Sequence, residues 1–244
     1  MDWDQIDGSL KQITAGPTGV WGVYANFLAN FVPNDSEWSI WRWRGGSGTG
    51  NNWDQIGGVL MQISAGPSAV WGTYRTGSIW RWRGGSDTGN DWDQIVGALK
   101  QVSAGSAGVW GVASNNTIWR WRGGNDTGND WDQIGGSLAQ ISSGSADVWG
   151  ITAGGIILRW RGGNDTGNEW DQIGGSFNQI CSGAVVCGVN NQGLWCWRGG
   201  SGTGNNWEKI DPRNDFTNVA QDVDGKVWAV DTKNKIWRSK SAVQ

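Results

Sequence analysis

The sequence predicts an all-β protein, a six-bladed β-propeller with four antiparallel strands per blade. The first observation is a repeat: the phrase WDQI, or WEKI in its last copy, starts at Trp3, Trp53, Trp92, Trp131, Trp170 and Trp207. The spacings are 50, 39, 39, 39 and 37 residues. A second observation is that each repeat holds four short β-forming runs separated by turn residues. Six such units match a propeller, whose blades are four-stranded sheets around a channel.

Each repeat supplies four strands, A to D, which the third repeat illustrates. Strand A is LKQVSAG (99–105), strand B is GVWGVA (108–113), strand C is TIWRWR (117–122) and strand D is WDQI (131–134). Ser-Ala-Gly, Asn-Asn, a Gly-rich loop and Gly-Gly separate the runs. Because consecutive strands alternate in direction, the A–B turns and C–D loops share one face of the disk. The B–C loops and D–A turns share the other face, and no run has helical spacing over helical length.

The two ends of the sequence predict how the ring closes. The sequence starts on WDQI without a preceding strand C, and it ends on NKIWRSK (234–240) without a following strand D. The N-terminal strand can therefore complete the last blade, which removes the open edge that a linear solenoid would have to cap. We expect residues 1–244 to form a single propeller domain.

Composition argues against several classes of function. The net charge is −3, from 19 basic and 22 acidic residues, which gives no electrostatic reason to expect nucleic acid or an anionic membrane as partner. Histidine is absent, which removes Ser-His-Asp and Cys-His nucleophiles and His-based metal sites. No stretch approaches 18 consecutive apolar residues, so we expect no transmembrane segment. We expect neither a metal nor a cofactor.

The first residues and the cysteines favour a cytoplasmic protein. The stretch MDWDQIDGSL has neither the basic nor the apolar region of a signal peptide. Cys181, Cys187 and Cys196 all fall in one repeat, and an odd, clustered set indicates reduced thiols rather than a disulfide framework. Cys187 stands where other repeats carry the Trp of VWG, so we expect it to be a small buried filler.

The repeat resembles the tectonin family of β-propeller lectins. The resemblance is carried by W-D-Q-I-G-G-x-L-x-Q-I-S-x-G-x-x-x-V-W-G-V followed by I-W-R, and it extends over nearly the whole chain. It implies a six-bladed propeller that binds glycans without catalysis. Fungal-type members are associated with O-methylated sugars on foreign glycans, and other members with lipopolysaccharide or phosphoinositide. The resemblance thus implies methylated monosaccharides or bacterial or nematode surface saccharides as partners.

The tryptophans and arginines of strands C and D are expected to segregate to opposite faces. Side chains alternate along a strand, so Trp119 and Trp121 share one face, and Arg120 and Arg122 share the other. A symmetric C–D hairpin also places tryptophans in cross-strand pairs, which are Trp43–Trp53, Trp82–Trp92, Trp121–Trp131, Trp160–Trp170 and Trp197–Trp207. On the other face the expected partners are Arg83–Asp91, Arg122–Asp130 and Arg161–Glu169, while Arg44 and Arg198 face Asn52 and Asn206.

Stacked blades should bring the tryptophan face of one against the arginine face of the next. For the inner residues, Trp119 and Arg120 with their equivalents, we expect a structural cation–π contact that joins the blades. At the rim the blades diverge, and a slot with an aromatic wall and charged donors would suit a sugar. We therefore expect up to five carbohydrate sites, formed by Trp43, Arg44 and Trp53; Trp82, Arg83 and Trp92; Trp121, Arg122 and Trp131; Trp160, Arg161 and Trp170; and Trp197, Arg198 and Trp207.

Two loop segments carry further expectations. The loop GGNDTGND offers Asp126, Thr127 and Asn129 as polar partners, and we expect turn formation rather than calcium binding because two repeats read GGSGTGNN. The insertion at 24–39 contains the apolar Phe27, Leu28, Phe31 and Val32. We expect it to pack over the channel mouth or against a partner subunit in a homo-oligomer, rather than against a membrane.

Two other functions compete with a lectin. A glycosidase needs one asymmetric pair of carboxylates with separated pKa values, whereas Asp54, Asp93, Asp132 and Asp171 recur with the repeat. We therefore expect no enzyme. A scaffold for a protein, or for a lipid or phosphoinositide, remains the alternative. Repeats that serve one protein partner should diverge on the binding face, and the nearly identical loops favour several equal small-ligand sites instead.

Overall fold

Six antiparallel sheets of four strands each form the described part of the chain. The computed structural model describes residues 1–25, 38–46, 48–84, 88–89, 91–123, 128, 130–162, 167, 169–199, 204 and 206–243. In these ranges every regular element is a β-strand, and there are 24 strands. The six-bladed propeller predicted from the sequence is confirmed. No helix in the described ranges is long and apolar enough to cross a membrane.

The strands follow the order A, B, C, D in each blade. The chain begins with β1 (Trp3–Ile6), which belongs to the last blade. Blade 1 contains β2 (Gln12–Gly16), β3 (Gly19–Ala25), β4 (Trp38–Trp43) and β5 (Trp53–Ile56). Blade 2 contains β6 (Gln62–Ala65), β7 (Val70–Thr73), β8 (Ile79–Trp82) and β9 (Trp92–Ile95). Blade 3 contains β10 (Gln101–Gly105), β11 (Gly108–Val112), β12 (Ile118–Trp121) and β13 (Trp131–Ile134).

The second half of the chain repeats this order. Blade 4 contains β14 (Gln140–Gly144), β15 (Asp147–Ile151), β16 (Ile156–Trp160) and β17 (Trp170–Ser176). Blade 5 contains β18 (Gln179–Ser182), β19 (Val186–Asn190), β20 (Gly193–Trp197) and β21 (Trp207–Asp211). Blade 6 contains β22 (Phe216–Gln221), β23 (Lys226–Asp231) and β24 (Ile236–Ala242), and β1 is its fourth strand.

The ring closes through the N-terminal strand, as predicted. Strand β1 pairs antiparallel with β24, with Trp3 opposite Ser239 and Ile6 opposite Ile236. The outer edge of the last blade is therefore formed by residues from the opposite end of the chain. The indole Nε1 of Trp3 also donates a hydrogen bond of 2.7 Å to Oδ2 of Asp211, which ends β21 of blade 5.

The six A strands surround a channel, and a ring of amide side chains joins them. Nε2 of Gln101 donates to the carbonyl of Ile141 in the next blade, and Oε1 accepts from the N–H of Ile141, both at 2.9 Å. Gln12, Gln62, Gln140 and Gln179 make the same paired contact with Ile63, Val102, Ile180 and Val219. Asn218 completes the circle by accepting from the N–H of Ile13 at 2.8 Å.

Glycines allow the blades to approach closely near the channel. A Cβ atom at Gly105 would lie 2.0 Å from the carbonyl oxygen of Ser143 in blade 4. Within blade 3, a Cβ at Gly111 would lie 2.3 Å from Cδ1 of Leu99. In blade 3, a side chain at either position would therefore force a neighbouring atom to move; in blade 6 the position of the VWG glycine is occupied by Ala229.

Blade 5 contains a disulfide that the sequence analysis did not predict. Cys187 on β19 and Cys196 on β20 are register partners and form the disulfide, so the expectation of three reduced thiols is wrong for this pair. Cys181 is a free thiol, and its burial raises its pKa to about 12. In blade 3 the two disulfide positions hold Trp110 and Arg120, which are also cross-strand partners. The disulfide thus replaces a Trp–Arg pair.

The amide ring leads to a stability prediction. Replacing Gln101 with Ala should lower the free energy of unfolding by about 1–3 kcal/mol, because the N–H and C=O of Ile141 lose their side-chain partners. Thermal or urea unfolding measures the change. The matched control is Gln133→Ala, since Gln133 is exposed on β13, and a surface change of this kind should stay within about 0.5 kcal/mol. Equal effects of the two variants would contradict the role of the ring.

The disulfide leads to a second prediction. Alkylation of the unfolded, unreduced protein should modify one cysteine per chain, Cys181, and reduction before alkylation should raise the count to three. Loss of the disulfide should cost about 2–4 kcal/mol and lower the melting temperature by about 4–16 °C. Mass spectrometry and thermal unfolding with and without reductant check both statements. Three alkylated cysteines without reductant would show that the thiols are free.

Candidate functional site

The C–D hairpins have the predicted register. Trp121 on β12 lies opposite Trp131 on β13, and the same pairing holds for Trp43–Trp53, Trp82–Trp92, Trp160–Trp170 and Trp197–Trp207. The backbone N–H of Arg122 bonds the carbonyl of Asp130 at 2.9 Å. The backbone N–H groups of Arg44 and Arg198 donate hydrogen bonds to the carbonyl oxygens of Asn52 and Asn206, the residues expected to face them.

The paired tryptophans are packed between blades rather than exposed in open rim slots. Nine of the ten have only 5–8% of their surface exposed, and Trp207 is half-buried. Trp121 and Trp131 pack against Trp71 of blade 2, with ring centroids 5.7 and 6.3 Å apart. The Nε1 of Trp131 also donates to the carbonyl of Val96 at 3.1 Å. The space between these two blades is therefore filled by the indole of strand B and does not stay open as expected.

The inner arginines form their cation–π contacts within a blade. The guanidinium carbon of Arg120 lies 5.6 Å from the ring centroid of Trp110, its cross-strand partner on β11. Equivalent contacts are Arg42 over Trp21, Arg81 over Trp71, Arg159 over Trp149 and Arg238 over Trp228. The sequence analysis expected these contacts between blades, whereas the cation–π contacts named here lie within a blade. Aromatic contacts such as Trp71–Trp121 join neighbouring blades.

The outer arginines are half-exposed and ion-paired. Arg44, Arg83, Arg122, Arg161 and Arg198 keep 39–55% of their side-chain surface exposed. Arg122 lies 3.5 Å from Asp130 and 3.8 Å from Asp132, so it contacts both the loop and strand D. In blade 4 the hydrogen bond and charge of Asp171, helped by Glu169, raise the pKa of Arg161 above its usual value. These pairs offer donors and acceptors side by side at the surface.

One slot of the expected kind lies between blades 3 and 4. Arg122 and Trp121 line it from blade 3, and Trp160 lines it from blade 4, within a volume of about 540 Å³. Arg120 and Asp132 add further polar groups. An arginine wall and a tryptophan wall therefore do meet on the C–D face. The aromatic wall is narrow, because Trp160 packs 5.5 Å from Trp110 and is 5% exposed.

Sequence reasoning missed a second kind of cleft, on the face of the B–C loops. Among the described residues it occurs at equivalent positions in three blades, with volumes of about 180, 480 and 410 Å³ in blades 1, 3 and 5. The blade-1 cleft is lined by Gly8, Ser9, Leu10, Tyr24, Trp41, Asn51, Trp53 and Ile236. The blade-3 cleft is lined by Ile79, Gly97, Ala98, Leu99, Ala113, Ser114, Asn115, Thr117, Trp119 and Trp131. The blade-5 cleft is lined by Gly175, Ser176, Phe177, Asn178, Asn190, Asn191, Gln192, Trp195 and Trp207.

Each of these clefts contains the half-buried tryptophan that lies two residues before the paired tryptophan of strand C. Trp41, Trp119 and Trp195 occupy this position in blades 1, 3 and 5. A hydrogen bond fixes each ring: the Nε1 of Trp119, for example, donates to Oγ1 of Thr117 at 3.0 Å. The sequence analysis assigned this residue a structural role only. The polar residues of the adjoining B–C turn were the signal that could have identified it.

The six blades are not equivalent at this position. Blade 2 keeps a half-buried Trp80, whose Nε1 donates to Oγ of Ser78 at 3.2 Å. Blade 4 has Leu158 instead of the indole. In blade 6 the guanidinium carbon of Arg213 lies 4.0 Å from the ring centroid of Trp237, so a charged group already covers that ring.

Residues of two loop segments that carried expectations lie outside the described residues. These are the loop residues Asp126, Thr127 and Asn129, and the insertion residues Phe27, Leu28, Phe31 and Val32. The turn, calcium and subunit-contact expectations for them stay predictions. Within the described residues no group of three or more acidic or cysteine side chains is arranged to hold a metal ion.

Comparisons with known proteins agree with the geometry. A family model described as the tectonin domain matches residues 29–232. No curated protein matches the sequence. The chain is similar to the solved structure "YCF48 bound to D1 peptide", with a TM-score of 0.56 and 14% identity over 100% of this chain and 82% of that one. It is also similar to YCF48 from Cyanidioschyzon merolae (0.56, 12%, 98% of each chain) and to the WD40 β-propeller domain of Doa1 (0.54, 10%, 99% of this chain and 98% of that one). Identities this low show a shared propeller fold alone.

Proposed function

The chain belongs to the tectonin family, and we propose that it is a multivalent lectin that binds glycans of foreign cell surfaces without catalysis. The observation that carries the proposal is the repeated cleft: matching positions in blades 1, 3 and 5 form the same half-buried indole pocket. Several similar small pockets on one rigid ring suit repeated saccharides on a surface. One protein partner would instead require one continuous and asymmetric face.

The blade-3 cleft has the chemistry that a sugar needs. The ring of Trp119 supplies an aromatic surface for the C–H face of a pyranose. Ser114, Asn115 and Thr117 supply hydroxyl and amide groups at the cleft edge for the sugar hydroxyls. Its volume of about 480 Å³ is within the range of small-ligand sites. Trp131, one of the predicted site residues, also lines this cleft.

The apolar part of the same cleft favours an O-methylated sugar. Ala98, Leu99 and Ala113 lie beside Trp119 and Trp131, and none of these side chains offers an acceptor for a free sugar hydroxyl. A methyl ether placed there would be buried against carbon atoms. A free hydroxyl would lose its water without gaining a protein partner.

The carboxylates support the proposal of a non-catalytic protein. Asp132 is paired with Arg122, and Asp171 is paired with Arg159 and Arg161. The same pairing recurs from blade to blade, so it serves the hairpin rather than one reaction centre. A glycosidase would need one carboxylic acid held apart from a carboxylate by its environment.

The repeated cleft predicts the stoichiometry of binding. A monosaccharide should bind at three or four sites per chain, each weak (about millimolar to micromolar), while glycan-coated surfaces bind about 10²–10⁴-fold tighter. Replacing Trp119 with Leu, the residue that blade 4 carries, should remove one site. Isothermal titration and surface binding measure the two quantities.

A reciprocal variant in blade 4 provides the control for this prediction. Leu158→Trp restores the indole in blade 4 and should add one site, and thermal unfolding establishes that both variants are folded. An unchanged stoichiometry in both folded variants would show that the indole of strand C does not bind sugar. A stoichiometry of one for the natural chain would contradict the repeated site.

Methyl recognition predicts a preference between two forms of one sugar. Burial of the methyl group contributes about 0.8 kcal/mol, and avoiding an unpaired hydroxyl contributes about 1–3 kcal/mol. Together they give a roughly 20- to 600-fold preference for the methylated form. A glycan array that carries O-methylated and free monosaccharides in matched pairs tests it, and equal binding of the two forms would refute methyl recognition.

A further inference from the structure

Blade 5 departs from the other blades at the residue opposite the cleft tryptophan. In blades 1–3 this cross-strand partner is a glutamine: Gln55, Gln94 and Gln133 lie opposite Trp41, Trp80 and Trp119. In blade 5 it is Lys209, opposite Trp195. The Nζ of Lys209 lies 4.9 Å from the ring centroid of Trp195. Trp195 lines the blade-5 cleft and Lys209 does not, so the positive charge stands beside the cleft, next to its aromatic wall.

The acidic neighbour of Lys209 is engaged elsewhere. Glu208 precedes it on β21 and is hydrogen-bonded to Nε of Arg198. Adjacent residues of a strand point to opposite faces, so this carboxylate lies on the other side of the blade. The lining residues of the blade-5 cleft include no acidic side chain. Lys209, beside the aromatic wall, therefore brings a positive charge to a position where blades 1–3 have a neutral glutamine.

The remaining lining is richer in amides than that of the other clefts. Asn178, Asn190, Asn191 and Gln192 line it, where blade 3 has Ala113, Ser114 and Asn115 after strand B. Oδ1 of Asn190 accepts from Nε1 of Trp195 at 3.1 Å and orients the indole. Amide N–H groups and an ammonium group are donors that suit the oxygens of an anion.

We propose that the blade-5 cleft binds an acidic saccharide, one that carries a carboxylate or a sulfate group, through Lys209, while the clefts of blades 1 and 3 take neutral sugars. This inference rests on the proposed lectin function. The sugar would lie in the cleft against the part of Trp195 that lines it, with its anionic group at the ammonium group beside the ring. The protein would thereby recognise two chemical classes of saccharide on one ring.

The test compares Lys209→Gln with the natural chain. Lys209 is exposed, so the variant should fold normally. Two pairs of probes are compared: glucuronic acid with its neutral amide, and galactose 6-sulfate with galactose. Ligand-observed NMR titration measures the affinity of each probe. We expect at least one acidic probe to bind the natural chain about five- to tenfold more tightly than its neutral partner, and Lys209→Gln to abolish that preference. The preference should also weaken with added salt.

A reciprocal variant provides the control. Gln133→Lys places an ammonium group at the equivalent position of blade 3 and should add a second acidic site. If neutral sugars bind but no acidic probe is preferred, or if the preference survives Lys209→Gln, the inference is wrong and the lectin function stands. If no saccharide binds the natural chain at all, both are wrong. The carboxylate and sulfate probes show which anionic group is recognised.

Discussion

The fold depends on satisfying the inner edges of its six A strands. Each A strand pairs with a B strand on one side only, and its other edge faces the channel, where unpaired N–H and C=O groups would remain. The side chain of Gln101 supplies both a donor and an acceptor to Ile141 of the next blade. Ser103 lies two residues after Gln101, on the same face of the strand, and its Oγ accepts a hydrogen bond from the N–H of Ser143. The polar side chains of strand A thus form hydrogen bonds with the backbone of the neighbouring blade.

The close approach of the A strands at the channel determines how the space between the blades is filled at larger radius. Because the A strands are held together at the hub, the blades are wedges, and the space between them must be filled by larger side chains with increasing radius. Indoles fill it: Trp71 packs against Trp121 and Trp131 of the next blade. The tryptophans that dominate the sequence are therefore mostly interblade packing. The aromatic surface that stays most accessible in the clefts is the half-buried indole of strand C, such as Trp119.

Periodicity in the sequence determines strand order, ring closure and hairpin register, because these follow from repeat spacing and from alternation along a strand. Periodicity does not determine how deeply each side chain is buried between the blades. Trp121 and Trp119 share a face by parity and pack against the same cluster, yet Trp121 is buried and Trp119 is only partly buried. The disulfide illustrates the same limit. Cys187 and Cys196 occupy the positions of Trp110 and Arg120, but their direct pairing becomes evident only from the B–C register.

Differences between blades concentrate where change costs little stability. The position opposite the strand-C indole is at the outer surface, so a glutamine in blade 3 and Lys209 in blade 5 exchange without disturbing the interblade core. The residue two after the glycine of VWG also differs, and the larger Tyr24 of blade 1 lines a cleft of about 180 Å³ whereas Ala113 of blade 3 lines one of about 480 Å³. Apart from the strand-D tryptophan, such as Trp131, the residues that join the blades differ from those that line the clefts. A propeller of this kind can therefore alter its sites one by one, since each cleft varies independently on a common frame.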